Sequence, residues 1–269
     1  MRYTSIFLPL IFLIGCEASS PEIEADTVYA NGIFWTGVEN EPDARTMAVD
    51  DGKIVFVGQT LPANISSEET IDLDGQFVMS GFMDNHVHFM EGGAALASVE
   101  LRDATTKELF KQRISDYAKN LPKGRWVLNG NWDQTQWGGE LPHKDWIDSQ
   151  TIETPVYVIR LDGHMALANA AALRAAGITK DTVDPKGGVI MRDEQGEPTG
   201  ILKGNALNLV LSVIPSPSDD ELMEQFTMAQ EHALSLGLTK VHAVTAYPTE
   251  TTMLDIFQMV LLTLAVVQC

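Results

Sequence analysis

The chain has 269 residues, 45% of them hydrophobic and 20% charged, and a formal net charge of −19 from 37 acids against 18 bases. That composition excludes a disordered chain and leaves room for one large domain or two modest ones. So acidic a surface repels phosphate backbones, which argues against nucleic acid as a partner.

The first sixteen residues read as a targeting segment. Arg2 supplies a positive start, Ile6 to Ile14 form an apolar core interrupted by Pro9, and Leu13-Ile14-Gly15-Cys16 is similar to a bacterial lipobox. The apolar run is far shorter than the roughly 20 residues a membrane span needs. The expectation is a lipoprotein signal peptide over 1–15, cleaved before Cys16. A lipidated Cys16 would then tether a soluble body to a membrane of the bacterial cell envelope. The alternative is an ordinary secretory signal with an incidental cysteine. Glu17 after the cysteine favours the outer membrane, facing the periplasm. Residues 16–25 read as a polar tether. Cys269 is the only other cysteine, so no structural disulfide is expected.

Residues 26–78 show short strands separated by tight turns. Thr27 to Ala30 and Ile33 to Thr36 flank Asn31-Gly32, Thr46 to Val49 and Ile54 to Val57 flank Asp51-Gly52, and Asp74-Gly75 precedes the next apolar run. Asn-Gly and Asp-Gly supply the positive φ of two-residue hairpin turns, so a small antiparallel β-domain is expected. From residue 79 onward strands alternate with helices. Thr105 to Glu108 has capping-box spacing ahead of a helix carrying Phe110 and Ile114. Short apolar strands follow at Trp126 to Leu128 and Val156 to Ile159. Ala166 to Ala176 reads as an alanine-rich helix ended by Gly177. Two strands bracket a polar hairpin from Asp193 to Thr199, Ser218 to Glu221 caps another helix, and Leu238 to Val244 is the next strand. Such alternation implies a parallel sheet, open or closed. Phe257 to Cys269 carries no charge and reads either as a buried element or as a break in the natural chain.

The run Gly81-Phe82-Met83-Asp84-Asn85-His86-Val87-His88 is the most informative stretch. It follows the apolar segment Gln76 to Met79 and places two imidazoles two residues apart. On a strand both point to one side and Val87 to the other. Two neutral imidazoles on one rigid face are a chelate for a borderline divalent metal. With six histidines in 269 residues, a close pair is not background.

This run resembles the first-strand signature of the amidohydrolase superfamily, with Ser80 where proline is usual. More narrowly, the chain is similar to the amidohydrolase-3, YtcJ-like branch that includes N-substituted formamide deformylase. Further stretches carry the resemblance in the family's order: Asn31 to Thr36, Ala48 to Ile54, Gly130 to Asp133, Pro155 to His164 with Asn169, Gly196 to Lys203, and Gly237 to His242. The resemblance implies an α/β fold: a (β/α)8 TIM-type barrel over 79–269, incomplete at about five strands, preceded by a small antiparallel β-sandwich domain over 26–78. Those strands lie near 78–86, 126–129, 156–161, 200–203 and 238–244.

The resemblance also implies metal-dependent hydrolysis of a non-peptide, amide-like C–N bond in a small molecule, with one or two divalent ions, zinc foremost. His86 and His88 match the first-strand ligands. Lys203 is a candidate for the fourth-strand bridging position; a snorkelling surface lysine is the other reading, and Gly204 stands where family members carry an acid. His242 aligns with the fifth strand, as a ligand or a core histidine. His164 is a candidate for substrate contact at the tip of the third strand. Trp132 and Asp133 suit a pocket wall and a polar anchor, or local packing. Asp84 either orients an imidazole or caps the strand end. The Asp base that the family carries on its eighth strand would lie beyond Cys269. Two other readings stand beside the hydrolase. One is a lipid-anchored fragment or pseudoenzyme that at most binds metal. The other, a solute-binding lipoprotein, leaves the His pair unexplained.

Overall fold

The structure, a computed structural model, describes residues 21–244; the signal segment, Cys16 and the uncharged stretch 257–269 lie outside the described residues. The described chain forms two compact units that meet in sequence at Gly81/Phe82.

The first unit contains β1 (Ile23–Ala30), β2 (Ile33–Val38), β3 (Glu41–Ala44), β4 (Thr46–Asp50), β5 (Lys53–Gly58), β6 (Ile65–Asp72) and β7 (Phe77–Val78). They form a four-stranded sheet in the order β5-β4-β1-β6 and a three-stranded sheet in the order β3-β2-β7. Ala25, Val28, Ala48 and Ile65 make the core, with Ile23, Phe56 and Leu61 packed against it. The expected purely antiparallel pairing is corrected here. β1 runs parallel to β6 and β2 runs parallel to β7.

The physical reason lies in the turns. Asp51-Gly52, at φ 46° and 68°, closes a true two-residue hairpin with Asp50 opposite Lys53. Asn31 also has positive φ, 57°. However, its carbonyl accepts from Gly75 N at 2.8 Å, and Gly32 N donates to the Arg45 carbonyl at 3.1 Å. Those bonds hand the chain from one sheet to the other instead of folding β2 back on β1.

The second unit opens with β8 (Phe82–Val87), α1 (Phe89–Leu96) and α2 (Lys107–Asn120). Then come β9 (Val127–Trp132), β10 (Val156–Arg160), β11 (Met165–Ala168), α3 (Ala170–Ala175), β12 (Gly188–Arg192) and β13 (Pro198–Gly204). It closes with α4 (Leu207–Leu211), α5 (Asp219–Ser235) and β14 (Leu238–Ala243). One sheet has the order β12-β13-β11-β10-β9; the other is the pair β14-β8. Thr106 caps α2 by accepting from Leu109 N at 3.1 Å, one residue later than the expected box. Ser218 and Glu221 form the full capping box of α5, as expected.

The alanine-rich stretch splits. Ala166 and Leu167 are fully buried and pair with β13 on one side and β10 on the other, so the helix begins only at Ala170. Tertiary pairing overrides alanine's helix propensity there. The Asp193–Thr199 hairpin forms where expected, and it decides the direction of β13. As one arm of a hairpin β13 must return antiparallel to β12, and it is antiparallel to β11 as well. Within the second unit the expected set of five parallel strands is therefore corrected to two parallel pairs, β8 with β14 and β9 with β10.

Residues alternate cleanly across the larger sheet. Val156 and Val158 of β10 face a core with Leu101, Phe110, Ile114, Trp132 and Leu167. Tyr157 between them faces a second core with Leu173, Ile190, Leu202 and Val210. A third cluster, built on Phe89, Met90, Phe226 and Ala229, packs α1 and α5 behind the β8–β14 pair. The two helices approach closely because position 93 is glycine: a Cβ there would sit 2.1 Å from the Gln225 carbonyl oxygen.

Candidate metal centre

The third cluster determines which face of the β8–β14 pair is free. Val87 and Val241 pack into it, against the helices. Strand side chains alternate, so His86 and His88, which flank Val87, point away from the helices; so do Lys240 and His242, which flank Val241. The pair therefore has one covered face and one open face that carries three imidazoles.

A bulge makes this arrangement possible. Val241 lies opposite Asp84 and Ala243 opposite Val87, so β8 takes three steps where β14 takes two. The extra residue lets Asp84 and Val87 both face the helix side while His86 stays on the open side. Asp84 fastens the bulge, its Oδ1 accepting from the His86 backbone N–H at 2.9 Å. Asp84 thus has a backbone partner, which favours the cap over the imidazole-orienting role.

The His86 and His88 rings stand with centroids 5.9 Å apart and planes at 75°. His88 is the N-cap of α1 but makes no side-chain cap hydrogen bond, so the helix end does not consume its ring nitrogens. Its side chain is 61% exposed and its Nδ1 is 4.0 Å from Glu91 Oε1. Two imidazoles with a third on the neighbouring strand are the donor chemistry of a borderline divalent cation. Among the described residues, no group of three or more His, Cys, Asp or Glu side chains is placed to hold a metal. The fit is a two-imidazole chelate with His242 on the same face.

The other expected residues gather elsewhere. Lys203 lies on β13, opposite Met165 and Val189, in the five-stranded sheet. His164 is exposed beside it, its carbonyl accepting from Gly204 N at 3.1 Å. Asp162 Oδ1 accepts from His164 N at 3.0 Å, and that bond, then the Arg160 guanidinium, holds the Asp162 carboxyl below the usual range. Asp133 caps a short 3₁₀ turn by accepting from Thr135 N at 3.0 Å, and lies 3.6 Å from Arg160 Nη2. The Thr135 hydrogen bond is the main reason its carboxyl is also held low. Asp133, Arg160, Asp162 and His164 thus share the C-terminal ends of the parallel β9–β10 pair. Trp132 does not form a pocket wall: it is fully buried, with its indole N–H donating to the Val158 carbonyl at 2.8 Å. A polar-aromatic run such as Gly130 to Asp133 at a strand end looks the same from sequence whether its tryptophan faces core or ligand.

Two residues went unassigned in the sequence. Asn169 is 1% exposed and joins β10, α3 and the Thr151–Thr154 turn in one hydrogen-bond node. Lys240 shares the open face with the imidazoles, and the alternation Lys240-Val241-His242 was the signal for it.

An exposed His-x-His at the end of a parallel strand, backed by helices, is the chelating geometry expected from the sequence. The chain belongs to the amidohydrolase family, whose family model matches residues 69–261. It is 41% identical over 222 residues to the protein LONG AFTER FAR-RED 3 of Arabidopsis thaliana, covering 81% of this chain and 38% of that one. It is 31% identical over 211 residues to the N-substituted formamide deformylase of Arthrobacter pascens, covering 74% of this chain and 38% of that one. Among solved structures it is similar to an uncharacterised metal-dependent hydrolase from Pyrococcus horikoshii OT3. The TM-score is 0.63 at 26% identity, with 87% of this chain and 45% of that one covered. The chain thus spans about two-fifths of the length of these relatives.

One further correction follows from the pairing. In a (β/α)8 barrel the strands are neighbours in chain order, so the direct partners of the first strand are the second and the eighth. β14 is bonded directly to β8. His242 therefore sits on the strand bonded to the one that carries His86.

Proposed function

We propose that this chain supplies the metal-binding start of an amidohydrolase acting on an amide-like C–N bond of a small molecule. The observation that carries the reading is the open face of β8–β14, where the His86 and His88 rings stand 5.9 Å apart with His242 on the neighbouring strand. His86 and His88 would hold the divalent ion, with Glu91 or His242 as a further donor and zinc the ion that best suits imidazole. A bound cation would supply Lewis-acid polarisation of the amide carbonyl and activation of water. The chain's own residues would then fix geometry: Asp84 holds the bulge that aims His86, and the α1–α5 pair holds Val87 and Val241 behind the imidazoles. Lys203 and His164, together on the separate sheet, would belong to a substrate-facing surface and not to the first ligand set; Asp133 would act there through Arg160. The wider architecture in this reading is a (β/α)8-type barrel beginning at β8, with β9–β13 inserted between two neighbouring barrel strands, and a β-sandwich built on residues 26–78. The deformylase relative, named for its action on N-substituted formamides, supports an amide-like substrate. The start of the chain supports residues 1–15 as a signal peptide and lipidated Cys16 as an envelope anchor.

A second reading, a lipid-anchored chain that binds metal without turning over substrate, is favoured by one observation. Among the described residues no group of three or more His, Cys, Asp or Glu side chains is placed to hold a metal, although Glu91 lies 4.0 Å from His88. Metal analysis of the full chain tests the shared premise. Wild type should retain a divalent ion through dialysis, and the His86→Ala/His88→Ala variant should lose it. Equal metal content in the two would remove the pair as ligands. Amide turnover by the metal-loaded wild type, absent from the double variant, would separate the hydrolase from the inactive binder.

A further inference from the structure

Among the described residues of the second unit, no hydrophobic cluster crosses from the imidazole strands to the five-stranded sheet. One cluster joins Phe89, Met90, Phe226 and Ala229. The buried residues of the other two all lie between Val99 and Val210. The elements divide in the same way: β8, α1, α5 and β14 pack on one another, and β9 to β13 pack with α2, α3 and α4. The chain crosses between these two bodies at residues 97–98 and again at 215–217, where the exposed Pro215 and Pro217 have no N–H to bond to either side. Polar side chains bridge the gap. Asn129 Nδ2 donates to Ser98 Oγ at 2.7 Å and the Tyr117 hydroxyl to the Ala97 carbonyl at 2.5 Å, both at the first crossing. Arg125 reaches α5: its Nε donates to Glu221 Oε1 at 2.6 Å and its Nη1 to Glu224 Oε2 at 3.0 Å. Lys144 and Arg160 also meet two carboxylates each, but inside one body. Arg125 is set apart by joining the two bodies, and its side chain is only 24% exposed.

We propose that the five-stranded sheet and its helices swing as one body against the imidazole body, about residues 97–98 and 215–217, and that Arg125 is the lock that holds one setting. Bodies joined by a small polar contact move relative to each other unless a specific contact stops them, since little buried apolar surface has to be exposed. A planar guanidinium forked between two carboxylates fixes an angle as well as a distance, which a single ammonium does not. Glu221 closes the capping box of α5 through its other oxygen, so release of Arg125 leaves that helix start intact. His164 and Lys203 ride on the moving body, and His86, His88 and His242 on the other. The lock therefore sets how far apart the two groups of side chains stand.

Pulsed electron spin resonance on the full chain tests this, with Cys16 and Cys269 changed to serine and nitroxides on Glu108→Cys of α2 and Glu231→Cys of α5, both exposed positions. A second label pair, Glu108→Cys with the exposed Glu194→Cys, lies within the moving body and serves as control. At about 0.01 M salt the parent chain should give one narrow distance between the bodies. At about 1 M salt, where the Debye length falls from about 30 Å to about 3 Å, the population at other distances should rise. Arg125→Met should raise that population about tenfold at low salt, from two partly exposed pairs at roughly threefold each, and Glu224→Gln should raise it about threefold. The control pair should keep one distance throughout. An Arg125→Met distribution that superimposes on the parent's overturns the proposal, as does a control pair that broadens equally. If Arg125→Met does not fold, the salt series on the parent decides, and a distribution unchanged between the two salt levels overturns the lock. None of these distances depends on a bound ion, so failure of the hydrolase reading leaves the test intact.

Discussion

Replacing Asn169 by alanine should destabilise the second unit far more than the loss of one small side chain suggests. Its Oδ1 accepts from Val156 N and from Ala172 N, each at 2.9 Å. Its Nδ2 donates to the Thr151 carbonyl, the Thr151 hydroxyl and the Thr154 carbonyl at 3.1, 2.9 and 2.9 Å. Alanine leaves two backbone N–H groups without a partner, of which that of Val156 belongs to a fully buried residue. Each buried group so orphaned costs about 1–3 kcal/mol, and the helix cap contributes about 1 kcal/mol of the same loss. A total of about 3–4 kcal/mol is a large fraction of the ~5–15 kcal/mol that holds a domain together. Urea denaturation of the full chain, followed by tryptophan fluorescence, should show the midpoint falling by about 1.5–2 M at a slope of about 2 kcal/mol per M. Asn169→Ser retains a cap acceptor for Ala172 and should recover about 1 kcal/mol. A shift under about 0.5 M for the alanine variant would refute the reasoning, because it would mean water or a rearranged backbone satisfies these groups at no cost.

Gly93→Ala places a methyl 2.1 Å from the Gln225 carbonyl oxygen, so α1 and α5 must separate. A loss of about 1–3 kcal/mol is expected, with weaker metal retention because the helices back both imidazole strands; unchanged metal content in a destabilised protein would disconnect the packing from the site. Asp133→Ala should be less stable than wild type at neutral pH and converge with it in acid. The folded-state pKa of Asp133 is depressed, chiefly by the Thr135 hydrogen bond. Its contribution is therefore present above the unfolded carboxyl value of about 3.9 and lost as pH falls through the folded one. Thermal melts of both proteins between pH 7 and pH 3 would show it, and a gap that stays constant with pH would assign the loss to packing.

Local chemistry was legible in the sequence; pairing partners were not. Ser218 and Glu221 formed the capping box their spacing announces, and Asp51-Gly52 made its hairpin, because those signals act within four residues. Asn31-Gly32 carries the same turn chemistry and closes no hairpin. Its partners Arg45 and Gly75 lie far along the chain, and nothing in the dipeptide encodes them. Ala166 to Ala168 illustrates the same limit: alanine prefers helix, yet burial between two strands decides otherwise. At the site, the period-two argument placed His86 and His88 on one side of a strand. It did not reveal the bulge between Asp84 and Val87 that turns Asp84 to the other side from His86, because a bulge shows only against the register of a partner strand.

Strand pairing also changes which residues can serve one site. Strand–helix alternation looks the same whether successive strands are laid side by side or an inserted sheet separates them, so both Lys203 and His242 stand as candidates from sequence. The hydrogen-bond ladder separates them. His242 is carried by the only strand among the described residues that pairs with β8, whereas Lys203 belongs to an antiparallel hairpin arm in a different sheet. A chelate needs donors fixed within a few ångströms by rigid neighbours, and two bonded strands with helices packed behind them provide that rigidity. Catalysis asks for more. The open face still meets water, with Met83 58% exposed on it. Electrostatic stabilisation of a developing charge is strong only where water is excluded. A metal held here would therefore bind before it could catalyse efficiently, and whatever covers Met83 would convert the chelate into an active site.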